Sequence, residues 1–148
     1  MLIMEIERKF LIKTLPSNLN TYEKKHLEQA YLCTAPVVRV REEGEEYILT
    51  YKGKGLMVRE EYNLPLTKEA YLHLREKADG NIISKTRYFI PEKNGLTIEL
   101  DVFEGVHAPL IMAEVEFPNE KAATNYIPPE WFGEEVTNNP AYHNSNMI

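Results

Sequence analysis

Charged and apolar residues alternate along residues 4–12, and this two-residue period is typical of a β-strand. Glu5, Glu7 and Lys9 share one face of such a strand. Side chains two residues apart lie roughly 7 Å from each other, so the two carboxylates can share one divalent cation. The lysine can then meet an anion bound to that cation. The alternative is an amphipathic strand whose charged face only contacts water.

The same alternation recurs in seven further segments of the chain. The predicted strands are residues 4–12, 27–33, 37–43, 47–54, 57–64, 81–90, 97–102 and 110–117. Glu43-Gly44-Glu45 and Lys93-Asn94-Gly95 are hairpin signals between two pairs of them. Eight short strands that are mostly joined by hairpins, each with one apolar face, predict a closed antiparallel sheet.

Two segments have helical spacing instead. Residues 67–78 repeat apolar residues at the helical period, with Thr67 as N-cap and Gly80 as the stop. A second helix is predicted over residues 119–127, where a Pro-Pro pair ends it. We therefore predict a β-dominated α+β fold, in which a few helices pack outside an eight-stranded antiparallel closed β-barrel.

The sequence leaves the structure of two other segments open. Residues 22–26 fit either a short helical turn or a loop. The segment that begins with Trp131 and Phe132 is expected to pack on the outside or to cap an opening, with a last short helix starting at Pro140.

The composition narrows the classes of function. The chain has 148 residues, which predicts one domain over residues 1–148. A net charge of −6 argues against a general surface for nucleic acid or anionic membranes. Cys33 is the single cysteine, and no apolar run approaches the ~20 residues that span a bilayer. The first residues are too acidic for a signal peptide, so we expect a cytoplasmic monomer or homodimer.

The charged faces of the predicted strands carry as many bases as acids. They are Lys9, Arg39, Arg41, Lys52, Arg59, Lys85 and Arg87, with Glu5, Glu7, Glu61, Glu99, Asp101, Glu114 and Glu116. An open sheet or sandwich would expose them to solvent, whereas an inverted barrel would place them in its lumen. Burying such charges dry costs several kcal/mol per ion, so the lumen must hold water or a ligand. Phosphate groups with Mg²⁺ or Mn²⁺ would satisfy both signs of charge.

Motifs of these strands resemble a known family. The motifs are Glu5-Ile6-Glu7-Arg8-Lys9-Phe10-Leu11, Gln29-Ala30-Tyr31-Leu32, Val38-Arg39-Val40-Arg41, Leu49-Thr50-Tyr51-Lys52, Arg59-Glu60-Glu61, Lys85-Thr86-Arg87-Tyr88, Glu99-Leu100-Asp101-Val102-Phe103, Glu114-Val115-Glu116-Phe117 and Gly133-Glu134-Glu135-Val136-Thr137. In this order they resemble the CYTH domain of the triphosphate tunnel metalloenzymes.

The resemblance implies an eight-stranded tunnel that binds a triphosphate with its metals. The family includes inorganic tripolyphosphatases, thiamine triphosphatases, RNA triphosphatases and class IV adenylyl cyclases, and its compact bacterial members are mostly inorganic triphosphatases. In such a protein we expect a longer C-terminal helix that plugs one mouth of the tunnel. Here the chain ends soon after Tyr142-His143-Asn144.

We assign roles to the charged residues on this basis. The expected metal ligands are Glu5, Glu7, Glu114 and Glu116, against the alternative of internal salt bridges. The expected phosphate ligands are Lys9, Arg39, Arg41, Arg59, Lys85 and Arg87. Three acids either bind a second metal or hold the arginines in place, namely Glu61, Glu99 and Asp101.

Hydrolysis of a phosphoanhydride also needs a proton acceptor for the attacking water. The candidates are Glu61, a metal-bound hydroxide and Lys52. A lysine crowded by other cations has a lowered pKa, and Tyr31 could hold it, since the resemblance implies a tyrosine–lysine dyad in some relatives. This hypothesis predicts an alkaline optimum, and the alternative is that Tyr31 only packs. The four histidines lack the spacing of metal ligands and are expected at the surface or in packing.

The predicted function is metal-dependent hydrolysis of the terminal phosphoanhydride of inorganic tripolyphosphate, with weaker action on other triphosphates. An adenylyl cyclase would use the same tunnel but would need an adenine pocket, which the sequence does not indicate. A thiamine triphosphatase and a non-catalytic polyphosphate-binding module are two further candidates. The module would lack the metal-binding acids, which are present here.

Overall fold

The computed structural model describes residues 2–148, in which nine β-strands form one antiparallel sheet. The strands are β1 (Leu2–Ile12), β2 (Glu23–Thr34), β3 (Val37–Glu43), β4 (Glu46–Lys52), β5 (Val58–Pro65), β6 (Asp79–Pro91), β7 (Thr97–Phe103), β8 (Ile111–Glu116) and β9 (Phe132–Glu135). Two α-helices, α1 (Lys68–Arg75) and α2 (Glu120–Asn125), interrupt the series of strands.

Strand β1 closes the sheet into a barrel. Its residues 7–11 pair with β8, and its residues 2–6 pair with β5 at the other end of the strand order. The closed order is β1-β8-β7-β6-β2-β3-β4-β5, which confirms the predicted eight-stranded antiparallel barrel. The ninth strand, β9, adds to β1 at Phe10 and Ile12, in a segment that we expected to pack on the outside or to cap an opening.

The apolar faces of the strands point outward, and the two helices cover part of them. Tyr71 of α1 packs against Ala30 and Val40 of the neighbouring strands. Ala123 of α2 belongs to a separate cluster that contains Phe10. The inner face of the barrel carries mostly charged and polar residues.

Helix α1 begins as predicted and ends earlier. The Thr67 hydroxyl accepts a hydrogen bond from the Ala70 amide, which confirms the N-cap. After Arg75 the amides of residues 77 and 78 bond three residues back rather than four, and β6 already starts at Asp79. The predicted stop, Gly80, therefore lies inside β6 with a φ of +66°. Helix α2 is also shorter than the predicted 119–127.

Residues 23–26 belong to β2, so the predicted helical turn or loop at 22–26 is wrong for all but the first of these residues. Glu23 and Lys24 pair with Phe89 and Tyr88 of β6, and the Lys24 ammonium lies 5.9 Å from the centre of the Tyr88 ring. These partners are more than sixty positions away in the chain, and local composition does not indicate such a pairing.

The chain after β9 lies across one end of the barrel. It forms two short 3-10 turns, Pro140–Tyr142 and Asn144–Asn146, the first of which matches the short helix expected from Pro140. Three further 3-10 turns occupy Leu19–Thr21, Lys93–Gly95 and Gly105–His107. Tyr142, Met147 and Ile148 pack against apolar barrel residues, among them Val37 and Phe103. A turn-rich segment thus covers the end for which we expected a longer helix.

Over residues 2–148 the structure has no helix with the length and apolarity needed to cross a membrane.

Candidate active site

The barrel encloses a charged cavity of about 200 Å³ that receives side chains from all eight barrel strands. Thirteen of the fourteen charged residues predicted on the inner face line it, and so does Tyr31. The exception is Asp101, which is completely buried behind two of the lining residues. Alternation along the strands therefore places nearly the whole predicted set in one cavity.

Three of the four predicted metal ligands come together on β1 and β8. Glu5, Glu7 and Glu116 each offer a carboxylate oxygen, and these three atoms lie within 4.8 Å of one another. Glu7 and Glu116 are direct partners in the register of the two strands. Glu114 is not one of these three, and its carboxylate lies 3.5 Å from Lys9 and 3.6 Å from Arg87.

The crowding of these carboxylates changes their pKa values. Burial, together with the nearby Glu114 and Glu5, raises the pKa of Glu7 to about 8. Burial and neighbouring acids, Glu99 first among them, raise the pKa of Glu116 to about 7. A cation between the carboxylates would relieve this repulsion, and hard divalent cations prefer oxygen ligands. The donor set of the cluster therefore fits a divalent metal ion.

Lys52 lies between two carboxylates rather than among the cations that we expected around it. Its ammonium donates to both oxygens of Glu5 at 2.9 Å and lies 3.6 Å from Glu61. Burial alone would raise the pKa of Glu5, but the charge of Lys52 and the hydrogen bonds with Glu61 and Lys52 together lower that pKa to about 2. The Tyr31 hydroxyl accepts a hydrogen bond from Gln29 instead, at 3.3 Å.

Two of the arginines on β3 and β5 have a buried nitrogen atom that is not paired within the described part of the chain. Within residues 2–148, the buried Nε atoms of Arg39 and Arg59 have no hydrogen-bond acceptor. Burial and the neighbouring Arg39 and Arg87 lower the pKa of Arg41 to about 10. Buried N–H groups without an acceptor are costly, so this part of the cavity favours an anion.

The cations on β6 are held by an acid. Arg87 makes a two-pronged contact with Asp101 at 2.7 and 2.9 Å, and Lys85 lies 2.7 Å from the same carboxylate. Burial would raise the pKa of Asp101, but Arg87 and Lys85 lower it. Glu99 also lies 3.4 Å from Arg87. Of the two roles left open for these acids, the contacts favour the orientation of arginine.

The cavity therefore combines an acidic cluster with buried guanidinium groups, as a complex of a metal with a polyphosphate requires. A family model of the CYTH domain matches residues 4–144 of this chain. The chain belongs to the CYTH domain family.

Other CYTH proteins resemble it over nearly their whole length. An inorganic triphosphatase of Nitrosomonas europaea is 41% identical over 146 residues, which cover 97% of this chain and 95% of the relative. An inorganic triphosphatase of Acetivibrio thermocellus is 33% identical over 152 residues, with 97% and 92% covered. A crystal structure of an inorganic triphosphatase superposes with a TM-score of 0.72 at 38% identity, covering 98% of this chain and 94% of that one.

Sequence reasoning missed several uncharged residues of this CYTH cavity. They are Thr50, Asn63, His143, Asn144 and Ser145. Thr50 and Asn63 share the parity of the charged residues on their strands, and this signal was available in the sequence. The other three belong to the C-terminal turns, which have no such period, and only the fold brings them to the lumen.

Among the residues that the structure describes, His143 is the one histidine that lines the cavity, although it was expected at the surface or in packing. Its Nε2 donates to the Thr137 carbonyl at 3.2 Å, which leaves Nδ1 facing Arg59 at 3.5 Å. Burial, Lys9 and Arg59 together lower the pKa of His143. His26 and His107 instead contact Glu104 and the Met147 carbonyl, in keeping with the surface or packing roles expected of them.

Proposed function

We propose that this CYTH protein hydrolyses the terminal phosphoanhydride of inorganic tripolyphosphate with the help of Mg²⁺ or Mn²⁺. The observation that carries the proposal is the charge arrangement of the cavity. Three clustered carboxylates share the cavity with several cationic side chains. Two of these cations, Arg39 and Arg59, have a buried Nε atom without a hydrogen-bond acceptor within residues 2–148. The names of the relatives support the same activity.

Glu5, Glu7 and Glu116 would hold the metal ion. Bound there, the ion would neutralise phosphate oxygens and favour attack on the terminal phosphorus. The phosphate oxygens themselves would lie against Lys9, Arg39, Arg41, Arg59, Lys85 and Arg87. The guanidinium forks of the arginines match the geometry of phosphate, and the two lysines add compact positive charges.

For the proton of the attacking water we infer Glu61 as the acceptor. One of its oxygens accepts a hydrogen bond from Asn63 at 2.6 Å, while the other is buried with no partner among residues 2–148. Lys52 lies 3.6 Å from this free oxygen and would stabilise its charge. Lys52 assisted by Tyr31 is the alternative acceptor, although the Lys52 side chain already donates to both carboxylate oxygens of Glu5.

The whole chain 1–148 would act as one catalytic domain on a small-molecule substrate. Its action in the cytoplasm and its state as a monomer or homodimer remain predictions from the sequence.

The test is phosphate release from tripolyphosphate, ATP, thiamine triphosphate and pyrophosphate with Mg²⁺ or Mn²⁺. We expect the wild type to release phosphate preferentially from tripolyphosphate, and we expect Glu7→Gln to abolish this phosphate release. Formation of cyclic AMP and pyrophosphate from ATP would identify a cyclase instead. Tight metal-dependent binding of tripolyphosphate without any turnover would overturn the proposal in favour of a binding module.

A further inference from the structure

Asn144 connects the C-terminal turns to the cations of the cavity. The residue is 7% exposed and lines the lumen from the turn Asn144–Asn146. Its Oδ1 accepts two hydrogen bonds, from the Lys85 ammonium at 3.0 Å and from Nε2 of Gln29 at 3.1 Å. One amide oxygen thus holds side chains of β6 and β2 together.

The contact extends through Gln29 to a third strand. Gln29 is fully buried, and its Oε1 accepts a hydrogen bond from Nε of Arg41 at 3.0 Å. Arg41 and Lys85 both line the cavity. Lys85 contacts Asn144 directly, and Arg41 contacts it through Gln29. Asn144 therefore contributes to the orientation of two cations, in addition to the contacts of Lys85 with Asp101 and of Arg41 with Glu43.

An amide suits this position for an electrostatic reason. Its oxygen can orient an ammonium group without cancelling the positive charge, whereas a carboxylate would neutralise it. Lys85 already has one acid partner in Asp101. A second carboxylate at position 144 would reduce the attraction of the cavity for phosphate.

The C-terminal turns are anchored independently of this amide. The Met147 carbonyl contacts Nε2 of His107, and Asn146 donates to the Pro140 carbonyl at 2.8 Å. Tyr142, Met147 and Ile148 add apolar contacts with the barrel. Loss of the Asn144 amide therefore leaves these anchors of the segment intact.

We propose that Asn144 is a positioning residue, which orients Lys85 directly and Arg41 through Gln29 for contact with the phosphate chain. The inference rests on the proposed function, because it assumes that a polyphosphate occupies the cavity. It assigns to the C-terminal segment a part in substrate binding besides its part in covering the end of the barrel.

The test compares Asn144→Leu and Asn144→Asp with the control Asn146→Ala, which alters the same turn outside the lumen. For Asn144→Leu we expect KM for tripolyphosphate to rise about tenfold with kcat within about twofold, as the loss of hydrogen bonds to charged groups predicts. Asn144→Asp should raise KM at least as much, while Asn146→Ala should leave KM unchanged. Melting temperatures show whether each variant is folded.

A double mutant isolates the shared network. If Asn144 acts partly through Gln29, the KM increase of Asn144→Leu combined with Gln29→Leu is smaller than the product of the single increases. The positioning role would be overturned if the KM increases of the two single mutants multiply in the double mutant. It would also be overturned by equal KM increases in Asn144→Leu, Asn144→Asp and Asn146→Ala. An unchanged KM in both Asn144 variants would overturn it as well.

Calorimetric binding of tripolyphosphate separates this inference from the proposed function. If the wild type binds tripolyphosphate but does not hydrolyse it, the proposed function fails, and a weaker Kd in the Asn144 variants still supports the positioning role. If the wild type hydrolyses it and neither KM nor Kd changes in these variants, only the positioning role fails. Absence of any binding by the wild type would overturn both.

Discussion

The ammonium of Lys52 lies 2.9 Å from both carboxylate oxygens of Glu5, so a residue of the candidate metal cluster already has a cationic partner. A divalent ion held by this cluster would share Glu5 with Lys52. Like charges at such distances repel strongly in a partly buried site. Lys52 therefore weakens metal binding while it keeps Glu5 ionised.

Replacement of Lys52 by methionine tests this balance. At alkaline pH, where the carboxylates are charged, we expect Lys52→Met to bind Mn²⁺ about tenfold more tightly, because a nearby positive charge is removed. Turnover should fall, since Glu61 loses its stabilising cation. Calorimetry with Mn²⁺ measures the first effect, and Lys54→Met, on the adjacent exposed turn, is the control. Unchanged Mn²⁺ affinity would show that Lys52 does not act on the metal cluster, and an unaltered rate and pH profile would exclude the dyad with Tyr31.

Glu7 of β1 and Glu114 of β8 should respond differently to neutralisation. Glu7→Gln removes a member of the cluster, so Mn²⁺ binding should weaken at least about 100-fold. Glu114→Gln should weaken Mn²⁺ binding by only about tenfold, because Glu114 contacts Lys9 and Arg87 and acts on the cluster through its nearby charge. Electron paramagnetic resonance of Mn²⁺ measures both affinities. Equal losses in the two variants would mean that Glu114 is also a ligand.

Alternation along the strands was sufficient to collect the charged residues of the cavity. Glu5, Glu7 and Lys9 face the lumen because a strand turns every second side chain to the same side, and this rule depends only on local backbone geometry. The closed barrel followed from the same pattern, since the apolar faces needed a cover and the charged faces needed an enclosed, wet space.

The sequence alone did not predict which of those residues lie opposite one another on neighbouring strands. Glu114 and Glu116 have the same parity, and only the register places Glu116 opposite Glu7 and Glu114 opposite Lys9. Register is decided by contacts between strands that are distant in the chain. The position of Asn144 depends in the same way on tertiary packing, because its segment has neither helical nor strand period.

Metal binding should release protons near neutral pH. The pKa of Glu7 is raised to about 8 and that of Glu116 to about 7 by burial and by neighbouring acids, Glu5 and Glu114 among them. Both carboxyls are therefore partly protonated at pH 7 and must lose protons to hold a cation. Mn²⁺ affinity should rise from pH 6 to about pH 8 and then level off, with between about one and two protons released at pH 7.

Calorimetry in buffers of different ionisation enthalpy counts these protons. Glu116→Gln is the informative variant, because it should lower the count while Glu7 still titrates. The metal-free protein should also melt at lower temperature as pH rises from 5 to 8. The two carboxyl groups with raised pKa values bind more protons in the folded state than in the unfolded state, so a higher pH destabilises the folded state. Proton release that does not change with pH would contradict the raised values.

The geometry of a guanidinium should matter at position 39. Arg39→Lys keeps the charge but loses the two-pronged contact with phosphate, so we expect KM for tripolyphosphate to rise about tenfold. Arg75→Lys is the matched control, because Arg75 pairs with Glu28 on the outside of the barrel. Steady-state kinetics measures both variants. A KM that stays at the wild-type value in Arg39→Lys would show that a positive charge alone suffices.

Asp101→Asn should destabilise the metal-free protein and at the same time strengthen its attraction for anions. Asp101 is fully buried between Lys85 and Arg87, so its neutralisation leaves two buried cations short of an anion. Breaking a buried ion pair in this way costs about 3–5 kcal/mol of unfolding free energy, whereas an exposed pair costs about 1 kcal/mol or less.

Glu135→Gln, which breaks the more exposed pair with Arg8, is therefore the control. Urea denaturation measures the loss, and added tripolyphosphate should restore more stability to Asp101→Asn than to the wild type, because the phosphate supplies the missing negative charge. If both variants lost the same stability, Asp101 would not be the acid that holds Lys85 and Arg87 in place.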